Sequence, residues 1–198
     1  SGGWVAVHET RGARGAARAR SEQALRLLGF RPLTPALAIR PDNLVGGVAA
    51  VRDRLATLGL APGSLVAGLD ELDPATDARA RTLWAWQRLA DAQRDGCREL
   101  THSRARLADA ALEEAMAETF LVGGRMIRLL VLDPLLPVEI APADAREQLV
   151  AAMTEYDDFG RACWAAFMER HGAPHRRTTP ADVRVAEGAE RLDRVAGR

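Results

Sequence analysis

An α+β chain, strand and helix alternating in its first part and helix alone in its second, is predicted by three features of the sequence. The densest is Gly29-Phe30-Arg31-Pro32-Leu33-Thr34-Pro35-Ala36-Leu37-Ala38-Ile39-Arg40-Pro41-Asp42-Asn43-Leu44. A helix-period segment ends there at a glycine suited to a left-handed cap, and prolines forbid its continuation. Two short strands surround a tight turn, and Asp42 or Asn43 stands where a new helix is to be capped. The second feature is the flanks: Trp4-Val5-Ala6-Val7-His8 one helix upstream and Leu65-Val66-Ala67-Gly68-Leu69 one helix downstream. The third is that beyond about residue 75 the apolar residues recur at steps of three and four, the helical period.

Taken in order, the first half reads as a strand over about 4–9, a helix over 14–28, strands over 30–34 and 36–40, a helix over 43–58 and a strand over 64–70. This β-α-β-β-α-β succession is the ferredoxin-like order. The first helix sets Ala17, Ala24, Leu25, Leu27 and Leu28 against Arg14, Arg18, Arg20 and Arg26. The second sets Leu44, Val48, Val51, Leu55 and Leu58 against Arg52, Asp53 and Arg54, and Gly59 closes it. Two helices with apolar stripes require a sheet to cover.

The second half is expected to be an all-helical C-terminal domain. Leu83, Trp86, Ala90, Cys97 and Leu100 mark one amphipathic helix over about 76–100; Leu112, Met116, Phe120, Ile127 and Leu130 mark another. Gly123-Gly124 interrupts that second stripe and predicts a kink, a close helix crossing or two separate helices. Asp133-Pro134-Leu135-Leu136-Pro137 forces a break, and a long helix follows from about Ala143 with Leu149, Met153, Tyr156, Cys163 and Phe167 on one side. From His171 the chain turns basic and turn-rich, with a weak helix expected over about 181–196. The expected division is 1–75, 76–170 and 171–198.

Composition limits the classes of function. With 27 basic and 27 acidic residues the net charge is zero, so no overall field draws nucleic acid. Every basic residue other than the four histidines is arginine. Schiff-base lysine chemistry is thereby excluded, and any phosphate must be met by guanidinium groups or backbone amides. No apolar run long enough to span a bilayer and no signal peptide is seen, so a soluble, cytoplasmic protein without membrane contact is expected. Cys97 and Cys163 fall singly on apolar helix faces and read as reduced core residues.

The candidate chemistries are few. Glu9, at the end of the first strand, is one carboxylate where a magnesium cage needs more, so a solvated or capping role is expected and no metal site. Thr10-Arg11-Gly12-Ala13-Arg14-Gly15 lies between a strand and a helix N-terminus, a place for a phosphate or simply a turn with solvated arginines. Trp84 and Trp86 cannot share one helix face. Trp86 is expected in the core, with Trp84 on a flank, packed on the sheet, lining a ligand pocket or facing a second subunit. His8, His102, His171 and His175 form no metal set, and neither Gly-x-Ser-x-Gly, Cys-x-x-Cys nor His-Glu-x-x-His occurs. No enzyme activity and no cofactor are expected.

Gly3-Trp4 opening the first strand, Gly29-Phe30, Ile39-Arg40-Pro41-Asp42-Asn43-Leu44, and Asp133-Pro134-Leu135-Leu136-Pro137 after a helix containing Arg125 and Arg128 together resemble the PaaX family of bacterial repressors of phenylacetate and related catabolism. The resemblance covers about residues 3–170. It implies the central ferredoxin-like and C-terminal helical domains of such a regulator, without its N-terminal winged helix-turn-helix, so operator DNA would be read only through a domain absent from this chain. It further implies a homodimer that senses an aryl-acyl-CoA such as phenylacetyl-CoA. The ligand seat is expected in a cleft between the sheet and helical domains, with Arg40 facing Arg125 or Arg128; Arg11 and Arg14 are the alternative mouth, and Trp84 a lining residue. The four aromatics Tyr156, Phe159, Trp164 and Phe167 point to dimerisation through the last helix. The alternative reading is a metal-dependent nuclease or RNA-binding module on a ferredoxin-like domain.

Overall fold

The computed structural model describes residues 3–9 and 14–172, so Arg11 and the 173–198 tail lie outside the described residues. It is an α+β protein with a four-stranded antiparallel sheet. The elements in order are β1 (Trp4–His8), α1 (Gly15–Leu27), β2 (Arg31–Thr34), β3 (Leu37–Pro41), α2 (Gly47–Leu58), β4 (Leu65–Leu69), α3 (Pro74–Arg81), α4 (Trp86–Leu107), α5 (Leu112–Val131) and α6 (Asp144–Arg170). The strands lie in the order β2-β3-β1-β4, with Ala6 opposite both Ile39 and Ala67. Pro32, which has no N–H to give, sits in the edge strand β2.

Two compact units divide the chain, and the boundary differs from the expected one at residue 75. Among the described residues the sheet unit holds 3–9, 14–86 and the returning segment 132–142; the helical unit holds 87–131 and 143–172. The reason is that both faces of the sheet are apolar. In β1 the period-two pattern sends Val5 and Val7 to one face and Trp4 and Ala6 to the other. Val5 and Val7 pack with Ala24, Leu25, Val51 and Leu55 of α1 and α2. Trp4, Ala6 and Ile39 pack with Ala80, Trp84 and Leu136, so α3 and the 132–142 segment are needed to cover a face that the two early helices leave bare.

Local chemistry explains most boundaries. Helix α1 ends in a Schellman cap: the Phe30 N–H donates to Leu25 O at 2.9 Å, the Gly29 N–H to Arg26 O at 3.1 Å, and Gly29 takes φ +74°. Helix α2 closes the same way at Gly59. It starts later than expected, because Asn43 turns its amide to other partners and the N-cap is Gly46 instead. The single helix expected over 76–100 is two. Asp73 caps α3 by accepting from the Ala75 and Thr76 N–H groups, with Pro74 at the first turn. Helix α3 then stops at Arg81, and α4 begins at Trp86.

The helical unit packs α4, α5 and α6 around Leu100, Val122, Met126, Leu149 and Tyr156. Helix α5 runs unbroken through Gly123-Gly124, and Gly123 is where Met153 of α6 comes close: a β-carbon there would lie 3.5 Å from its methyl group. A tighter crossing is at Gly96, where a β-carbon would meet Met126 Sδ at 2.7 Å and Leu149 at 3.2 Å. The aromatic face expected on α6 is corrected. Tyr156 is buried, Phe159 and Phe167 pack against Leu107, Met116 and Cys163, and Trp164 alone of the four is exposed. No helix among the described residues is long and apolar enough to cross a membrane.

Candidate functional site

The end of β3 carries Arg40, and the turn that follows carries Asn43. Arg40 is 2% exposed. Its guanidinium donates to the carbonyls of Leu28, Pro41 (3.1 Å) and Pro134 (3.5 Å) and to Asn43 Oδ1 (3.0 Å). The Asn43 amide in turn donates to Leu135 O, while Asp133 Oδ1 accepts from the Leu135 N–H at 2.7 Å. Leu135 is held at φ +52°, a left-handed conformation that a leucine rarely adopts. Burial lowers the Arg40 pKa to about 10, opposed in part by the nearby Asp42 carboxylate, so the group remains a cation at neutral pH. A planar donor fork is suited to collecting carbonyls from three chain segments.

This arrangement corrects the assignment of Arg40 as a ligand arginine. Its donors serve backbone carbonyls and the Asn43 amide oxygen, all within the sheet unit. Of the places open to Trp84, the structure gives packing on the sheet: it is buried against Trp4, Ala6 and Ile39, its indole N–H donates to Gly29 O at 3.0 Å, and its ring stacks on Trp4 with centroids 6.0 Å apart and planes 10° off parallel. The Trp4 indole N–H donates to Asp77 Oδ1, and Asp77 also takes Arg81 at 2.7 Å. Trp86, expected in the core, is only half-buried. The helical spacing used for both tryptophans fails because Trp84 lies in the non-helical link between α3 and α4 and Trp86 opens α4. Of the remaining predicted arginines, Arg14 is exposed at the start of α1, Arg128 is exposed on α5, and Arg125 pairs with Glu99 of α4.

Two hollows are relevant to a ligand. One in the sheet unit, about 220 Å³, lies among Trp4, Asp42, Asn43, Arg81 and Glu139. Its two carboxylates against one arginine make it a poor seat for a phosphate. The other is a broad groove of about 720 Å³ between α4 and α5 of the helical unit. Arg98, Arg106 and Arg125 stand along it, each paired with a carboxylate, Asp95, Glu118 and Glu99 respectively.

The floor of the groove is a polar chain. Ser103 Oγ is 2.7 Å from both Glu118 Oε1 and the Tyr156 hydroxyl. A serine has one proton to give, and the carboxylate can only accept, so Ser103 donates to Glu118 and accepts from Tyr156. Burial raises the tyrosine pKa above its ordinary value, which keeps that hydroxyl neutral and a donor. The groove thus offers guanidinium groups at its walls and an ordered hydroxyl–carboxylate pair below. Glu114 is a fourth carboxylate on its lining, so an anion binds there only by displacing the arginines' partners. The signal missed in the sequence was the charge pattern along α4, Asp95 with Arg98 and Glu99 three and four residues on and Arg106 two turns beyond Glu99 on the same face.

No family model matches the sequence, and no curated protein matches it. Among solved structures, the chain is similar to the uncharacterized protein Rv0674 from Mycobacterium tuberculosis, with a TM-score of 0.55 and 22% identity over 83% of this chain. The match takes in 64% of that protein, so the chain spans less than two thirds of its length. The likeness concerns the fold alone.

Proposed function

We propose that the chain is the effector-sensing and dimerisation core of a PaaX-type transcriptional repressor, its sheet unit a ferredoxin-like domain. The strand order β2-β3-β1-β4 supports the second part. The first rests on one observation: two of the motifs that carry the resemblance, Ile39-Arg40-Pro41-Asp42-Asn43 and Asp133-Pro134-Leu135-Leu136-Pro137, are one physical assembly. Arg40 and Pro134, 94 residues apart, are joined by the guanidinium, and Asn43 holds Leu135. Two sequence elements that act as a single staple are more specific than either alone.

The effector is an aryl-acyl-CoA such as phenylacetyl-CoA, and its seat is the α4–α5 groove. Arg98, Arg106 and Arg125 meet the CoA phosphates as their carboxylate partners give way, and the apolar part of the groove, Leu121 and Val122, takes the acyl end. Regulation then requires only that the ligand bind one arrangement of the dimer more tightly than another. Titration with phenylacetyl-CoA and with free CoA, on wild type and on Arg106→Ala and Arg125→Ala, tests this. Each substitution is expected to weaken phenylacetyl-CoA binding by about fivefold or more, ~1 kcal/mol. Saturable binding that neither substitution alters would remove the groove from the proposal, and no binding of either compound would remove the acyl-CoA.

A further inference from the structure

Helix α5 carries an apolar stripe on its outer side as well as on its inner one. Phe120, Leu121, Ile127 and Val131 are 71%, 60%, 52% and 62% exposed, and the small residues Ala117, one turn before Phe120, and Gly124, between Phe120 and Ile127, are exposed too. The residues 117, 120, 124, 127 and 131 follow one another at steps of three and four, so they form a single stripe along the helix. The glycine pair divides between the two sides. Gly123 faces Met153 inside, whereas a β-carbon on Gly124 would meet nothing within 4 Å. An exposed glycine inside a helix costs about 1 kcal/mol relative to alanine, and here it leaves a hollow in a row of large side chains.

The geometry points to a second copy of this chain as the occupant, its α5 laid antiparallel on this one about a two-fold axis near residue 122. Antiparallel layering sets Phe120 of each copy over Gly124 of the other and Ala117 opposite Ile127, large against small in each layer. Charge selects the same direction. The first half of α5 carries Glu113, Glu114 and Glu118, and the second half carries Arg125 and Arg128. A parallel pair would bring like charges together, while the antiparallel one places Glu114 opposite Arg128 of the partner copy at both ends. The same face borders the α4–α5 groove, whose lining includes Glu114, Ala117 and Leu121. The partner's Arg128 therefore becomes a wall of that groove, and occupancy and pairing are linked.

This inference deepens the dimer part of the proposed function and rests on it, but needs neither the repressor nor the acyl-CoA. The test is sedimentation equilibrium of the full chain with Gly124→Leu, Glu114→Arg, Arg128→Glu and the double swap Glu114→Arg/Arg128→Glu. All three positions are exposed, and circular dichroism checks that each of the four variants is folded. The expected result is a wild-type dimer whose dissociation constant rises about tenfold or more with each single substitution and returns to within about threefold in the double swap. A wild-type monomer at about 100 μM overturns both this surface and the dimer reading. A dimer indifferent to all the substitutions overturns the surface alone, and a double swap without rescue overturns the antiparallel register.

Discussion

In the sheet unit, distant chain segments are tied by buried donors with named acceptors: Arg40 to three carbonyls, Trp84 to Gly29, Trp4 to Asp77. In the helical unit most long-range polar contacts sit at the surface, as between Arg104 and Glu155 or Arg170 and Glu113, and the interior is held by apolar packing around Leu100, Met126 and Leu149. Surface pairs of this kind are worth about 0–1 kcal/mol each, whereas a buried carbonyl deprived of its donor costs about 1–3 kcal/mol. The sheet unit is thus specified by directional bonds, and the helical unit by shape. One consequence is tolerance: an apolar stripe such as that on α5 can be presented outward by a helix whose inner face already satisfies the core.

The largest expected effect breaks the directional side of that contrast. Arg40→Met keeps the apolar stem but leaves the carbonyls of Leu28, Pro41 and Pro134 and the amide oxygen of Asn43 without this donor, an expected loss of roughly 3–5 kcal/mol. Arg40→Lys is expected to restore less than half of it, since an ammonium cannot span the same fork. Urea denaturation followed by tryptophan fluorescence measures both, because Trp4 and Trp84 lie in this unit. A loss below about 1 kcal/mol for the methionine would mean that the packing of Leu136, and not the guanidinium, retains the 132–142 segment.

A smaller effect separates backbone strain from contact. Gly29 and Gly59 close α1 and α2 with the same pair of hydrogen bonds and both have positive φ, +74° and +97°. A β-carbon on Gly59 would lie 3.6 Å from Arg20 Cβ, but one on Gly29 would lie 2.8 Å and 2.9 Å from Pro134 Cβ and Cα. Gly59→Ala is expected to cost roughly 1–2 kcal/mol, the left-handed penalty alone. Gly29→Ala adds overlap with a proline that cannot move aside, for roughly 2–4 kcal/mol in all. Equal costs in thermal or urea unfolding would show that the returning segment yields at Pro134.

These residues also mark how far the sequence could be read. Gly29 and Gly59 as caps, the prolines that keep α1 from continuing and the order of strands and helices follow from local chemistry, and so did the helix break at Asp133-Pro134. What covers the second sheet face did not, because the 132–142 segment arrives from a distance that no period encodes. Arg40 looked like a ligand residue for the same reason: its acceptors are backbone carbonyls, which every residue has and no motif announces. The spacing places Trp86 deeper than Trp84 because it assumes one helix where Asp73-Pro74 starts a short one; packing of Trp84 on the sheet is one of three places it leaves open, and the stack on Trp4 holds it there, in the chain between α3 and α4. In the helical unit the residues read as one stripe on α5 divide between two sides, Met116 buried and Phe120 and Ile127 exposed, because with apolar residues on both sides the period alone does not say which faces inward.

The smallest expected effect lies at the rim of the sheet unit, where a directional bond is only partly screened from water. The Asp77 carboxylate accepts from Arg81 and from the Trp4 indole, and those bonds, the arginine's first, hold its pKa below the ordinary carboxylate value. A folded pKa lower than the unfolded one means that the unfolded chain binds the proton more tightly as the pH falls. The contribution is therefore complete above the ordinary carboxylate range and is lost as acid protonates the folded group. Because the site is partly exposed, it amounts to a few tenths of a kcal/mol. Asp77→Asn keeps an acceptor for the indole and removes the charge, so its unfolding free energy should fall less than that of wild type between about pH 6 and pH 3. Identical pH dependence in the two proteins would mean that the charge of Asp77 contributes nothing to folding at this rim, and that its bonds to Arg81 and Trp4 act there as neutral contacts do.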